Sequence, residues 1–230
     1  MMAEGIVGIS SMATSQILAD LSSSYQRKTE RSVTIESIGG VEAARRVRGG
    51  AIYDVIVLAD DALRGLEDDG YVKPGSRVSF AKSAIAMAVR SGESVPALTD
   101  EVATKAAILR ARSICYSTGP SGNHLLKLLK KWDFEPLMSG RLIQAPPGVP
   151  VGALVARGEA ELGFQQESEL LNVPGIEVVG LLPREIQSLT LFACGVGIMA
   201  PNAREAEEFI CFLTSQDSNA CKRRHGMEPP

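Results

Sequence analysis

Three loops of small polar residues have the chemistry to bind an anion. They lie at Ser10-Ser11, Ser37–Gly40 and Ser117–His124, each between an apolar, strand-like run and a helical pattern. Serine hydroxyls donate hydrogen bonds, glycine lets the backbone approach a ligand, and a helix N-terminus offers free N–H groups. One such loop alone is more typical of a helix cap or turn, whereas three loops on one sheet edge favour a binding site.

The predicted ligand-binding set combines these loops with two later segments. Val149 opens a predicted helix, and Gln165 and Gln166 follow the strand-like run 162–164, where amides suit a carboxylate or a hydroxyl group. The predicted ligand-binding residues are Ser10, Ser11, Gly39, Gly40, Ser117, Thr118, Ser121, Asn123, Val149, Gln165 and Gln166.

His124 and Glu167 are the candidate catalytic residues. His124 falls in the first turn of a predicted helix beside a polar loop, so it could donate to an anion or act as a general base. A surface or capping histidine is the alternative that the sequence leaves open. For Glu167 an N-cap or solvent role is the more ordinary assignment. The basic tail 222–225, which contains His225, is predicted to be solvated because such runs suit a helix C-terminus.

Other familiar motifs do not occur in this sequence. The loop 116–122 lacks the Gly-Lys-Ser/Thr ending of a nucleotide-binding P-loop, and no Gly-x-Ser-x-Gly nucleophile elbow occurs. No His, Cys or carboxylate cluster has metal-ligand spacing, so neither a metal site nor a cofactor is predicted. Cys115 and Cys194 are expected to be buried, and a disulfide between Cys211 and Cys221 is left open.

The composition is that of an ordinary globular protein. The 230 residues are 45% hydrophobic, 22% charged and only 5% aromatic, with a formal net charge of −3. Few aromatic side chains and no basic stripe argue against nucleic-acid binding. No apolar run reaches the roughly 18–20 residues that span a bilayer, so no transmembrane segment is predicted. The start of the chain lacks signal-peptide features. A periplasmic or other extracytoplasmic location is expected if a signal peptide has been removed, and a cytoplasmic one otherwise.

Strand-like and helical patterns alternate along the chain, which predicts an α/β fold with mostly parallel sheets. Val55–Leu58 is a continuous apolar run of the kind that is buried on both faces of a sheet. The apolar positions Ile17, Leu18, Leu21 and Tyr25 recur at helical spacing. Gly49-Gly50 and Gly70 are predicted to end the second and third helices.

The chain resembles the type II periplasmic binding proteins, and within them the molybdate-binding-protein-like group, over nearly its whole length. The resemblance is carried by Gly8–Met12, Ser37–Gly40, Tyr53–Asp60, Ser117–Gly122, Pro147–Val155, Gly158–Phe164 and Phe209–Gly226. It implies two α/β lobes that clamp a small anion in the cleft between them, with mixed, mostly parallel sheets and helices on both faces. It places lobe 1 at residues 1–80 plus 195–230 and lobe 2 at residues 81–194.

The chain departs from the molybdate binders at two positions of this resemblance. The matching donors fall at Ser10 or Ser11, near Ser121 and near Val149. The family's second serine falls at Gly39 or Gly40, and its cleft tyrosine falls at Gln165 or Gln166. The loss of two hydroxyls and the gain of amides favour a larger, carboxylate-bearing ligand over a tetrahedral metal oxyanion.

Two functions follow from the resemblance. The first is a solute-binding protein of a transport system, which is expected to be monomeric and to deliver a small anion to an ABC-transporter permease. The second is an isomerase, because the run 116–166 also resembles a subgroup that includes an aconitate isomerase. Such an enzyme moves a proton between carbons through an allylic carbanion, with a base near the carbon and donors on the carboxylates. Whether the chain is an enzyme stays open at this point.

Overall fold

The computed structural model describes residues 5–146 and 148–230, and the chain divides into two compact units. Unit 1 combines the residues up to Lys82 with Leu191–Pro230, and unit 2 is Ser83–Thr190. The lobe boundaries predicted from sequence are 80/81 and 194/195. The chain passes from one unit to the other inside two strands, Val78–Ser83 and Thr190–Val196.

Eleven strands occur in the described residues. They are β1 Ile6–Ser11, β2 Val33–Ile38, β3 Val55–Ala59, β4 Val78–Ser83, β5 Ile85–Arg90, β6 Ile114–Tyr116, β7 Leu142–Gln144, β8 Leu162–Gln166, β9 Ile176–Leu181, β10 Thr190–Val196 and β11 Met227–Glu228.

Nine α-helices occur in the same part of the chain. They are α1 Ser15–Thr29, α2 Gly40–Arg48, α3 Asp60–Asp68, α4 Glu101–Arg110, α5 Pro120–Lys131, α6 Val151–Ala156, α7 Glu167–Leu170, α8 Ala203–Thr214 and α9 Asn219–Arg224.

Unit 1 is built on a six-stranded mixed sheet in the order β11-β4-β10-β3-β1-β2. β1 runs parallel to β2 and to β3, and β10 runs antiparallel to β3. One face carries a core of α1 and α8 side chains such as Leu18 and Phe209, and the other carries α2 and α3 side chains such as Val47 and Leu63. The carboxyl ends of the three parallel strands therefore meet at one edge of a sheet that is buried on both faces.

Unit 2 is built on a five-stranded mixed sheet in the order β7-β6-β8-β5-β9. β6 runs parallel to β7 and β8, whereas β5 runs antiparallel to β8 and β9. Ile108 of α4 and Leu129 of α5 pack with Phe164 on one face, and Val151 and Val155 of α6 pack on the other. The apolar run 83–90, which the sequence predicts as one strand, contains β5 from Ile85 to Arg90, and its first residue, Ser83, is the last residue of β4.

The local signals in the sequence explain these elements. All four apolar positions predicted for α1 are buried, since their spacing places them on one face of the helix. Gly50 and Gly70 have φ of 89° and 82° after α2 and α3, a conformation that side chains with a Cβ rarely adopt. The expectation for the basic tail was wrong at Lys222, which is 0% exposed, because its ammonium group lies over the ring of Phe80 at 5.2 Å.

Within the described residues, none of the helices has the length and the apolar character that crossing a membrane requires.

Candidate functional site

The first two predicted loops of unit 1 meet at the carboxyl edge of its sheet. β1 and β2 are paired so that Ser10 lies beside Ser37, and the two hydroxyls share a hydrogen bond of 2.7 Å. Gly39 is the N-cap of α2, and Gly40 is its first residue. A Cβ added to Gly40 would lie 3.5 Å from the Cβ of Ser11. The structure thus brings Ser10, Ser11 and the N-terminus of α2 together, as the alternation of strands and helices predicted.

Ser11 has a polar atom that no protein group satisfies. The residue is 7% exposed, and its hydroxyl oxygen is buried without a hydrogen-bond partner among the described residues. Leaving a buried hydroxyl unpaired costs about 1–3 kcal/mol, so native proteins rarely leave one without a reason. A ligand oxygen at this position would accept the hydrogen bond that the Ser11 hydroxyl can donate.

Asp60 is the acidic residue at the same sheet edge. It follows β3 and opens α3, and its carboxylate pairs with the guanidinium groups of Arg64 and Arg77. Burial opposes the ionisation of Asp60, yet the hydrogen bonds from the two arginines hold its pKa below the ordinary value. The pairing compensates a negative charge that would otherwise repel an anion at this edge.

The third predicted loop is in unit 2, at the carboxyl end of β6 and the N-terminus of α5. The expectation that all three loops share one sheet edge was wrong, because β6 belongs to the five-stranded sheet and β1 and β2 to the six-stranded sheet. The hydroxyls of Ser117 and Ser121 lie 3.1 Å apart, and the N–H of Gly119 donates to Ser117 Oγ at 3.2 Å. Thr118 lies between Ser117 and Gly119. Asn123 is exposed, and its backbone N–H donates to the Gly119 carbonyl oxygen at 3.1 Å. The loop is therefore held in shape by its own serines.

His124 is anchored to a distant part of unit 2. Its Nε2 lies 2.7 Å from the carbonyl oxygen of Ile186. A carbonyl oxygen only accepts, so Nε2 carries a proton and Nδ1 is the nitrogen that can accept one in the neutral ring. The contact gives His124 a structural role and leaves one nitrogen for proton transfer.

Gln165 is engaged with the protein on both sides of its amide. Its Oε1 accepts from the backbone N–H of Val151, the first residue of α6, at 3.0 Å. Its Nε2 donates to Glu169 Oε1 at 2.8 Å. The predicted donor Val149 precedes this helix and gives its own N–H to the Pro146 carbonyl at 3.0 Å. Gln165 thus occupies the helix N-terminus that the sequence assigned to the ligand.

Gln166 differs from Gln165 because half of its amide is free. The residue is 1% exposed, and its Nε2 is 2.7 Å from the Thr190 hydroxyl. Its Oε1 is buried without a hydrogen-bond partner in the described part of the chain. A hydroxyl both donates and accepts, so the amide can turn over at Thr190 and present either its oxygen or its NH₂ group to a ligand.

Glu169 is a candidate that the sequence reasoning missed. Glu167, the predicted second base, opens α7 with its N–H donated to the Ala84 carbonyl at 2.8 Å. Glu169 lies two residues further along α7, and its Oε1 accepts from Gln165 Nε2 at 2.8 Å. It is partly exposed as a residue, but burial of its carboxyl raises the pKa to about 7, against a smaller lowering by Gln165. No helical spacing signals this pair, because Gln165 belongs to β8 and Glu169 to α7, and the bond forms only where the chain turns from the strand into the helix.

Glu169→Gln is expected to remove a pH dependence of stability in unit 2. The pKa of Glu169 is raised from 4.5 to about 7, so the folded state holds this proton more tightly than the unfolded chain. The resulting stability is fully present below pH 4.5 and is lost as the pH rises through about 7. Glutamine keeps an oxygen that can accept from Gln165 but cannot ionise.

Urea unfolding at several pH values measures this effect. Between about pH 5 and 8, the wild type should lose on the order of 1–3 kcal/mol more unfolding free energy than Glu169→Gln. Glu177→Gln, at an exposed position of β9, is the matched control and should keep the wild-type slope. Equal slopes in all three proteins would contradict the raised pKa.

Three of the four cysteines are buried, and all four are free thiols. Cys115 and Cys194 are buried as expected, and burial raises the pKa of the Cys115 thiol to about 11. Cys211 is exposed and Cys221 is buried, and the disulfide that the sequence left open between them does not form in this structure. Two arginines on α2 form salt bridges with nearby glutamates, Arg45 with Glu42 and Arg46 with Glu36.

Comparison with known proteins identifies relatives of this chain. It matches the family described as bacterial extracellular solute-binding protein over residues 6–228. A protein named aconitate isomerase, from Pseudomonas sp, is 38% identical over 179 residues, which cover 76% of this chain and 67% of that protein.

Solved structures share the fold at low sequence identity. The periplasmic molybdate-binding protein of Azotobacter vinelandii has a TM-score of 0.81 at 20% identity, covering 98% of this chain and 99% of that chain. The PBP AgtB from A. tumefaciens R10, in complex with agropinic acid, has a TM-score of 0.75 at 16% identity, covering 100% of this chain and 84% of that chain. These similarities confirm the predicted fold class.

Proposed function

This chain belongs to the bacterial extracellular solute-binding protein family, and from that membership we propose that it binds a small carboxylate or oxyanion for a transport system. The observation that carries the proposal is the buried, unpaired hydroxyl of Ser11 beside the N-terminus of α2. Neutral donors and a helix dipole bind an anion without a permanent positive charge. The position of the ligand between two lobes stays a prediction.

The donor set favours a carboxylate over a metal oxyanion. Gly39 and Gly40 supply no hydroxyl, while the unpaired Gln166 Oε1 can accept from a hydroxyl group, and the amide rotated by 180° would offer its NH₂ group to a carboxylate. One structural neighbour is described as binding molybdate and another holds agropinic acid, so both ligand classes occur on this fold.

A second candidate function is isomerisation of an unsaturated polycarboxylate. The relative named aconitate isomerase favours it. The reaction takes a proton from the CH₂ carbon beside one carboxylate and returns a proton at the other end of the allylic carbanion. It needs no net oxidation and only a base that is active near neutral pH. His124, through Nδ1, and Glu169, with its pKa of about 7, are the groups whose chemistry suits that task, and Glu167 is the third candidate.

One experiment separates the two functions. The full chain is incubated with cis- and trans-aconitate, and interconversion is followed by proton NMR. Calorimetry with aconitate, citrate, molybdate and sulfate measures binding in parallel. Turnover supports the isomerase. Binding without turnover supports the solute-binding protein. The absence of binding to all four anions would contradict the anion-binding proposal.

Ser11→Ala is expected to weaken the affinity for the bound anion about 10- to 100-fold, because a hydrogen bond to a charged group contributes about 1.5–3 kcal/mol. The stability of the variant should equal or exceed that of the wild type, since the unpaired hydroxyl is removed. Ser23→Ala is the control, because Ser23 is exposed on α1 and its hydroxyl donates to the Ala19 carbonyl. Calorimetry with the best-bound anion measures both variants, and an unchanged affinity for Ser11→Ala would remove Ser11 from the site.

The partner and the location follow from the family only in general terms. The family description is extracellular, and one structural neighbour is described as periplasmic. We infer an extracytoplasmic location and an ABC-transporter permease as partner. A monomeric state and the absence of a cofactor stay predictions. Pull-down of the chain with the membrane components encoded beside its gene tests the permease proposal.

A further inference from the structure

Three side chains of different types converge in unit 1, away from the loops described above. Asp20 lies on α1, Cys221 on α9, and His225 caps the end of α9. One ligand atom from each residue lies within 4.8 Å of the other two. We call them the Asp20–Cys221–His225 cluster. Cys221 and His225 are four residues apart, but Asp20 is 205 residues from His225, so no local spacing could reveal all three members.

The atoms are close enough for one metal ion to bind all three. Zn²⁺ holds thiolate sulfur at about 2.3 Å and imidazole nitrogen or carboxylate oxygen at about 2.0–2.2 Å, so tetrahedral ligand atoms lie roughly 3.3–3.8 Å apart. His225 Nε2 and Asp20 Oδ2 are already 2.9 Å apart. All three ligand atoms lie within 4.8 Å of one another, and the Asp20 side chain, which is 56% exposed, has room to turn towards an ion.

The cluster uses one side of the imidazole ring. His225 Nε2 faces Asp20 and is the nitrogen that would ligate an ion shared with it, whereas the buried Nδ1, which has no hydrogen-bond partner among the described residues, lies on the opposite side of the ring. The cluster also has access from solvent. Asp20 and Cys221 both line an open pocket of about 690 Å³, which gives an ion a path to the thiol and room for a water as the fourth ligand.

The charges around the cluster limit the kind of ion. Arg27, Lys28 and Arg224 line the same pocket together with the single further carboxylate of Asp217, so the lining does not favour a hard cation such as Ca²⁺ or Mg²⁺, whose bonds to oxygen are mainly electrostatic. The thiolate and imidazole ligands suit Zn²⁺ and other borderline or soft divalent ions. A thiolate and a carboxylate together supply the two negative charges that balance such an ion.

We propose that Asp20, Cys221 and His225 form a binding site for Zn²⁺, or for a divalent transition metal of similar preference, with water as the fourth ligand. Binding displaces the thiol proton of Cys221 into solvent. The site ties the start of unit 1 to its last helix, since α1 and α9 each supply ligands. It is independent of the anion-binding proposal, and either can fail without the other.

Cobalt substitution tests the proposal on the full chain. The protein is reduced, freed of metal with a chelator and titrated with Co²⁺. Thiolate ligation is expected to give one intense near-ultraviolet charge-transfer band per chain, which Zn²⁺ then removes by displacement. Cys221→Ser should abolish this band, whereas Cys211→Ser, which changes an exposed thiol outside the cluster, should retain it.

Competition with a zinc indicator measures the affinities. Zn²⁺ affinity should fall at least about 100-fold in His225→Gln, since the loss of even an outer-shell partner costs about 10–100-fold. Asp20→Asn changes an exposed side chain, so it keeps the fold and should weaken Zn²⁺ binding at least about 10-fold. No charge-transfer band in the wild type, a band that survives Cys221→Ser, or an unchanged affinity in Asp20→Asn would each overturn the site as proposed.

Discussion

Gly122→Ala is expected to lower the unfolding free energy of unit 2 by about 3 kcal/mol or more. Gly122 lies in the first turn of α5, and a Cβ built there would be 1.8 Å from the Ser117 carbonyl oxygen and 3.0 Å from Tyr116 Cδ2. The oxygen is a backbone atom, so the clash cannot be relieved by turning a side chain. The loop after β6 must move away from the helix.

The displaced loop should also lose its internal hydrogen bonds. Ser117 bonds to Ser121 and to the Gly119 N–H, and both contacts depend on the close approach at Gly122. Anion binding should therefore weaken together with stability if this loop contributes donors to the ligand. Glycine at position 122 is required by space and not by backbone conformation.

Gly119→Ala is the matched control for this substitution. The nearest atom to a Cβ at Gly119 is Ser117 Oγ at 3.6 Å, an ordinary contact, so the cost should stay within about 1 kcal/mol, the usual cost of alanine at an N-cap. The single tryptophan, Trp132, follows α5 directly, so its fluorescence in urea reports on unit 2. Equal unfolding midpoints for the two variants would contradict the close approach.

His124→Gln is expected to lower aconitate turnover by about 10²–10⁴-fold if the protein is the isomerase and His124 is its base. Glutamine can reach the Ile186 carbonyl with its own NH₂ group and so replaces the hydrogen bond that Nε2 makes at 2.7 Å. It cannot take up a proton at neutral pH. The substitution therefore removes the chemistry and keeps the anchor.

Two further variants complete the comparison. His124→Ala should lose both the activity and some stability, because the Ile186 carbonyl loses its donor. Lys127→Ala, at an exposed position of α5, should keep the wild-type rate. Initial rates by NMR and urea midpoints are measured for each. Full activity in His124→Gln would restrict His124 to its structural role and leave Glu169 and Glu167 as the candidate bases.

Local patterns predicted much of the fold, because the spacing of apolar residues within one helix or strand indicates which face of it is buried. The spacing of Ile17 and Leu21 placed α1, the apolar run 55–58 placed β3, and glycines placed two helix ends. The boundary between β4 and β5 was predicted least accurately, because only Ala84 separates the two strands and no turn signal marks it. The pattern there is the same for one strand or two.

The sequence predicted which loops form the candidate site, but not which hydrogen bonds their side chains make. Parallel strands end at one edge, so Ser10, Ser11 and the Gly39-Gly40 helix start had to lie near one another in unit 1. The engagement of Gln165 with Val151, the anchor of His124 on Ile186 and the raised pKa of Glu169 depend on how distant segments pack. No local pattern carries that information.

The sequence by itself therefore determined the α/β fold class and three small polar loops at strand ends that could hold an anion. Apolar periodicity and helix caps involve residues that are close together in the sequence, so the sequence alone indicates them. Only the tertiary structure decided which of the candidate polar groups remain unpaired, the Ser11 hydroxyl and Gln166 Oε1 among them, and which are already hydrogen-bonded. It also buried Lys222 and joined Asp20 to Cys221 and His225, because contacts between residues far apart in sequence form only when the packed helices and sheets fix their positions.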